Sequence, residues 1–177
     1  MTIRNGILAA FLLYSFTLTP ADALGEVELE YHKTVILFKI LQFVTFSESG
    51  EEVLELICFG EDAMTRAIST LSRTYQVSGK KIHVSQVRSF QELLGINRIH
   101  IVFLAADEIM HLAEIQEEAR KRSFLLVGDG EGFAARGVHV NLILFKGRIQ
   151  FEINRLEVEK TDLYLSSKLY KLARIIE

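Results

Sequence analysis

The chain has 177 residues, a formal net charge of −3, 49% hydrophobic and 24% charged residues, and no Trp. A slightly acidic balance without a basic stripe excludes a nucleic-acid binder and a domain held on anionic lipid by charge. Cys58 is the only cysteine, so an intramolecular disulfide is excluded as well.

The N-terminus reads as an export signal, MTIRNGILAAFLLYSFTLTPADALGE. Arg4 and the amino terminus supply positive charge, Ile7 to Leu18 is apolar apart from Ser15 and Thr17, and Pro20 breaks the helix. Ala21-Asp22-Ala23 places small residues where a signal peptidase inspects them, so the expected cut follows Ala23, with Gly25 as second choice. An uncleaved anchor is the rival, but the apolar run is shorter than the roughly 20 residues of a spanning helix. Residues 1–23 are therefore expected to be a signal peptide. Residues 24–177 are expected to form a single domain with no membrane insertion after cleavage, since they show no repeat, linker or second long apolar segment.

Residues 28–46 have a helical pattern that is apolar on most sides, as in a buried helix. Val53–Cys58 reads as a buried strand, which makes Cys58 a core residue in preference to one half of an intermolecular bridge. A helix with Glu61-Asp62 in its first turn follows, with Met64, Ala67, Ile68 and Leu71 on one face. Next come a turn at Ser78-Gly79, a strand over Lys81–Val84, a short helix near Ser89–Leu94 and a strand over Ile99–Leu104. Asp107 is placed to cap a helix reaching about Arg122, with Ile109, Leu112 and Ala113 inward, and Ser123–Val127 is the next strand. Alternating strands and helices, with central strands apolar throughout, predict a mostly parallel α/β sheet with helices on both faces.

The C-terminal part changes pattern. Val138–Phe145 and Arg148–Ile153 flank Lys146-Gly147, which predicts an antiparallel hairpin. Ile149, Phe151 and Ile153 alternate with Arg148, Gln150 and Glu152, so the second strand reads as a sheet edge with one wet face. Asn154 with Glu157 resembles a helix cap, and a last helix from about Ser166 would carry Leu169, Leu172 and Ile176 on one face.

Gly130, Gly132 and Ala135 satisfy G-x-G-x-x-A, but the strand beginning at Val138 leaves no room for the helix that a dinucleotide site needs; a structural loop is expected and no cofactor. His32, His83, His100, His111 and His139 show no metal-ligand spacing, and no G-x-S-x-G occurs, so neither a metal site nor a catalytic residue is expected. Asp107, Asp129 and Glu131 follow strand ends, where α/β sites lie, with capping and loop solvation as the simpler reading.

Phe124-Leu125-Leu126-Val127-Gly128-Asp129, followed by Gly132-Phe133 and Gly137, resembles the "L-x-V-x-D … F … G-G" block of the YfiR-like family. Gly147-Arg148-Ile149-Gln150-Phe151-Glu152-Ile153-Asn154 matches its "G-R-I-x-F-E-I-N" signature, and Leu163–Leu169 with Leu172-Ala173 matches its closing "L-x-I-S-S-x-L-L-x-L-A". Ile57-Cys58-Phe59-Gly60 and His100–Leu104 are similar to two upstream strand ends of the family. Phe46-Ser47 stands where the family often has Trp-Pro, and Ile99 where it often has a cysteine, so Cys58 lacks the partner the resemblance would supply. The resemblance implies an exported, non-enzymatic regulator, in some cases a homodimer. It would bind the periplasmic domain of an inner-membrane diguanylate cyclase, keeping cyclic di-GMP and biofilm formation down. Gln150, Glu152, Tyr164 and Lys168 are the candidate partner-facing residues. The alternative is a periplasmic small-molecule sensing module serving a sensor kinase or receptor, with its pocket at the carboxyl ends of the strands. A hydrolase using Asp129 and Glu131 is the weakest reading.

Overall fold

Helix α1 (Ala21–Leu41) opens the computed structural model, which describes residues 21–46 and 52–177. The signal segment lies outside the described residues, except that Ala21–Ala23 begin α1. That helix starts earlier than the pattern predicts and stops at Leu41, where Val44–Thr45 becomes a short strand, β1. Leu37, Phe38, Ile40 and Leu41 are buried, so α1 is held by packing along its second half.

Strand β2 (Val53–Phe59) leads into α2 (Ala63–Leu71) through a two-way cap. Asp62 Oδ1 accepts from the Thr65 amide at 2.7 Å, and the Asp62 amide donates to Thr65 Oγ1 at 2.9 Å. Next come β3 (Gln76–Val77), β4 (Lys80–Val87), α3 (Phe90–Leu94) and β5 (Ile101–Leu104). A 3-10 turn over Ala106–His111 precedes α4 (Leu112–Arg122). Asp107 lies inside that turn and caps nothing, and Ala113 is exposed; Leu112, Ile115 and Ala119 carry the inward face instead. The chain continues as β6 (Leu125–Gly128), a 3-10 turn over Ala134–Arg136, β7 (Val140–Phe145), β8 (Arg148–Asn154) and α5 (Arg155–Val158). It ends in β9 (Tyr164–Leu165), α6 (Ser167–Leu172) and β10 (Arg174–Ile176).

The main sheet has the order β10-β8-β7-β6-β5-β2-β4-β3, and β1 pairs with β9 in a separate ribbon. The run from β4 to β7 is parallel, while β8 is antiparallel to β7 and β3 to β4. This is the expected mostly parallel α/β sheet with a C-terminal hairpin. Lys146 and Gly147, both at positive φ, make the tight turn. Leu54, Leu56 and Cys58 point to the face covered by α1 and α2, whereas Ile57 and Phe59 point to the face covered by α3 and α4.

Two expectations are corrected at the C-terminus. The last helix stops at Leu172, which is exposed, and Arg174–Ile176 pairs parallel with β8. Strand β8 is therefore not the sheet edge, and Glu152 does not sit on a wet face. Arg174 stands opposite Glu152 in the ladder, and Glu152 is only 3% exposed.

The glycine-rich loop after β6 is shaped by Phe133. A Cβ on Gly130 would lie 2.2 Å from the Phe133 ring, and one on Gly128 would lie 2.7 Å from it. Phe133 is buried in the α4-side core, so the ring cannot retreat into solvent. Gly130→Ala is expected to cost about 1–3 kcal/mol by overpacking. Urea unfolding of this variant and of Gly130→Ala with Phe133→Leu checks it: the smaller side chain should recover part of the loss.

Candidate functional site

In an open doubly wound sheet, ligands lie at the carboxyl ends of strands where the order reverses, here between β2 and β5. That crevice is filled. Gly60, at φ +90°, has Glu108 Cγ 2.5 Å from the position of a Cβ, and the His111 ring packs on Phe59 with centroids 5.2 Å apart. The 3-10 turn that replaces the first part of the expected helix supplies both plugging side chains.

The polar groups gather instead at the carboxyl end of β6. Lys33 comes from the middle of α1, just before the apolar run Val35–Phe38. Its Nζ is 2.8 Å from Glu30 Oε1, one turn earlier, and 3.1 Å from Asp129 Oδ2, just after β6. All three side chains are about nine-tenths buried. Glu30 Oε2 and Asp129 Oδ1 have no hydrogen-bond partner among the described residues. Burial alone would lower the Lys33 pKa, but hydrogen bonds and charge from Glu30 and Asp129 outweigh it and raise it. Burial pushes the Asp129 carboxyl up; Lys33 opposes this, and the charges of Asp62 and Glu30 add to it. Two buried carboxylates thus share one ammonium.

Beside this triad, Asn141 on β7 donates Nδ2 to the Gly130 carbonyl at 2.9 Å and to Glu152 Oε2 at 3.1 Å. Glu152 in turn pairs with Arg174 on β10. Asn141 Oδ1 is a third buried acceptor with no partner among the described residues. A cavity of about 550 Å³ opens here, lined by Lys33, Asp129, Glu131, Glu152 and Arg174, with Ile143, Leu144, Phe145 and Ile176 as its apolar wall.

A second groove, of about 520 Å³, lies among Val158, Leu163, Tyr164, Leu165, Tyr170 and Ile175. Tyr164 is 65% exposed, and Leu156 and Leu172 of the same C-terminal segment are exposed too. Of the four candidate partner-facing residues, Tyr164 lines this groove; Gln150 and Lys168 are exposed but line neither cavity, and Glu152 is buried. Asp107 and Glu131 are exposed, whereas Asp129 belongs to the buried triad. Glu30, Lys33, Asn141 and Arg174 were not picked out from the sequence. The available signal was the Glu30/Lys33 pair at i,i+3 on an apolar helix, where a lone Lys needs a partner.

The G-x-G-x-x-A segment leads into a 3-10 turn of three residues and then β7, and its glycines make room for Phe133. Among the described residues, no three His, Cys, Asp or Glu side chains come together in a metal-binding group. No helix among them is long and apolar enough to cross a membrane. Cys58 is 1% exposed, and its thiol is pushed up to about 12 by burial and then by the charge of Asp62. The folded protein should therefore resist a disulfide thiol reagent at pH 8, with labelling appearing as urea unfolds it; fast labelling of native protein would contradict this.

A family model described as YfiR/HmsC-like matches residues 31–174, from α1 to the first residue of β10. No curated protein matches the chain. A solved structure described as the ABC domain in complex with L-Trp, from Streptococcus pneumonia, superposes with a TM-score of 0.58 at 7% identity. The match covers 83% of this chain and 60% of that one. Likeness at this identity shows the α/β fold alone.

Proposed function

Since the chain belongs to the YfiR/HmsC-like family, we propose that it is an exported protein that binds the periplasmic domain of an inner-membrane diguanylate cyclase and represses its cytoplasmic output. The observation that carries this reading is the family match over residues 31–174, which includes every strand of the parallel run from β4 to β7. The family is regulatory in character. The plugged switch crevice agrees with a protein that works through its surface. The mechanism is a population shift: binding favours an inactive arrangement of the membrane protein, by as much as the two arrangements differ in affinity for the regulator.

The contact face we assign is the Tyr164 groove, with Lys168 beside it in sequence. An exposed aromatic over an apolar groove is the kind of anchor that dominates interfaces. Tyr164→Ala is expected to weaken binding to the cyclase domain about tenfold, while stability changes by about 0.5 kcal/mol or less because the side chain is exposed. Deleting the gene should raise cyclic di-GMP, and the tagged protein should co-purify an inner-membrane cyclase. Unchanged cyclic di-GMP together with no such partner would sink the reading.

A further inference from the structure

We propose that the cavity at the carboxyl end of β6 is a binding site for a small molecule that carries a cationic amine on an apolar body, with the amine seated on Asp129. The site lies apart from the Tyr164 groove, and testing it requires no cyclase.

An acceptor without a partner among the described residues sets what the ligand must offer, and the charge of the lining sets its sign. Glu30 Oε2, Asp129 Oδ1 and Asn141 Oδ1 are all buried acceptors, and of these three residues Asp129 alone lines the cavity. Only a donor can satisfy Asp129 Oδ1, and the Asp129 side chain is 9% exposed while lining the cavity. Charge balance agrees: the lining holds three carboxylates, Asp129, Glu131 and Glu152, against Lys33 and Arg174. Both cations are already engaged, Lys33 by two carboxylates and Arg174 by Glu152. An anionic ligand would have to break those pairs and face the surplus carboxylate, so the anionic class is disfavoured. A cation adds the counter-charge that the triad lacks, in a setting where burial strengthens it.

The opposite wall sets the rest of the ligand. Ile143, Leu144, Phe145 and Ile176 are apolar, and Leu144 and Phe145 remain 54% and 42% exposed. An apolar body would cover them. The volume of about 550 Å³ falls within the range of small-molecule sites.

The experiment titrates the whole protein with phenethylamine and n-hexylamine, and with the matched neutral phenethyl alcohol and anionic phenylacetate, following backbone amide resonances. Both amines should bind saturably and shift residues 129–132 and 143–145, at least about tenfold more tightly than the alcohol or the acid. Asp129→Asn should weaken the amines by a similar factor and leave the alcohol unchanged, while Glu131→Gln should change amine affinity less than about twofold. Failure of both amines to bind, equal affinity for alcohol or acid, or amine binding unchanged by Asp129→Asn would overturn the proposal. If Asp129→Asn does not fold, the comparison of probes on the unaltered protein decides alone.

Discussion

Replacing Lys33 with Met should destabilise the fold by about 3–5 kcal/mol, the cost of breaking a buried charge cluster by removing one side. Met matches the stem of Lys and removes only the ammonium. Glu30 and Asp129 would then face each other, nine-tenths buried, with no positive charge between them. Two like charges in that position cannot both stay ionised, so one takes up a proton. The deficit should therefore shrink as pH falls from about 7.5 to about 5, because the proton takes the place of the lost ammonium. Urea unfolding of Lys33→Met, Asp129→Asn and the double variant separates this from a packing defect. The double variant should be clearly more stable than Lys33→Met, since it removes the unpaired carboxylate. A double variant as unstable as Lys33→Met, with no pH dependence in the deficit, would show that the charges are not the cause.

His139 supplies the second large effect, and it depends on acidity. The ring is fully buried, and its Nδ1 accepts from the Leu126 amide at 3.1 Å. That bond places the ring proton on Nε2, which has no partner among the described residues. Burial lowers the pKa to about 4, with Glu157 pulling up and Arg120 pushing down. In the unfolded chain a His titrates near ~6.5. The unfolded state therefore binds a proton that the folded state refuses between these values. Stability is unaffected above about pH 6.5 and is lost as pH falls toward 4, the loss amounting to about 3 kcal/mol below it. Asn offers an acceptor where Nδ1 stood and cannot titrate. His139→Asn is expected to be less stable at pH 7.5 because it is smaller, but to lose about 2 kcal/mol less than the parent between pH 7 and pH 4.5. Equal slopes for the two proteins would refute this.

The parts of the fold that periodicity could reach were legible. Strands β2, β5 and β6 announce themselves as apolar runs because they are covered on both faces, and Lys146-Gly147 fixes the hairpin by local backbone chemistry. Residues 174–176 were not legible. Arg-Ile-Ile follows a helix with leucines three apart, and only the parallel pairing with β8 makes it a strand. The same pairing explains Glu152: alternation places it opposite the inward residues, but whether that face is wet depends on β10. Lys33 was hidden for a related reason, since its Asp129 partner is 96 positions away. Cys58 and the glycine loop were readable because burial and turn geometry are local properties. The candidate site is assembled almost wholly from distant pairings.

The ladder between β6 and β7 joins the two strands at Val127–Val140 and Gly128–Asn141 alone, while β7 pairs with β8 along its whole length to Phe145. Mechanically, this makes the hairpin with β10 a lever held by a short grip. Load applied near the exposed Leu144–Phe145 tip is borne at Asn141, whose side chain ties Gly130 to Glu152. A molecule lodged between Asp129 and that tip would brace the lever, and one pulling on the hairpin would strain the grip first. Amide exchange along β7 should report this, with slow exchange in the middle of β5 and faster exchange at 143–145.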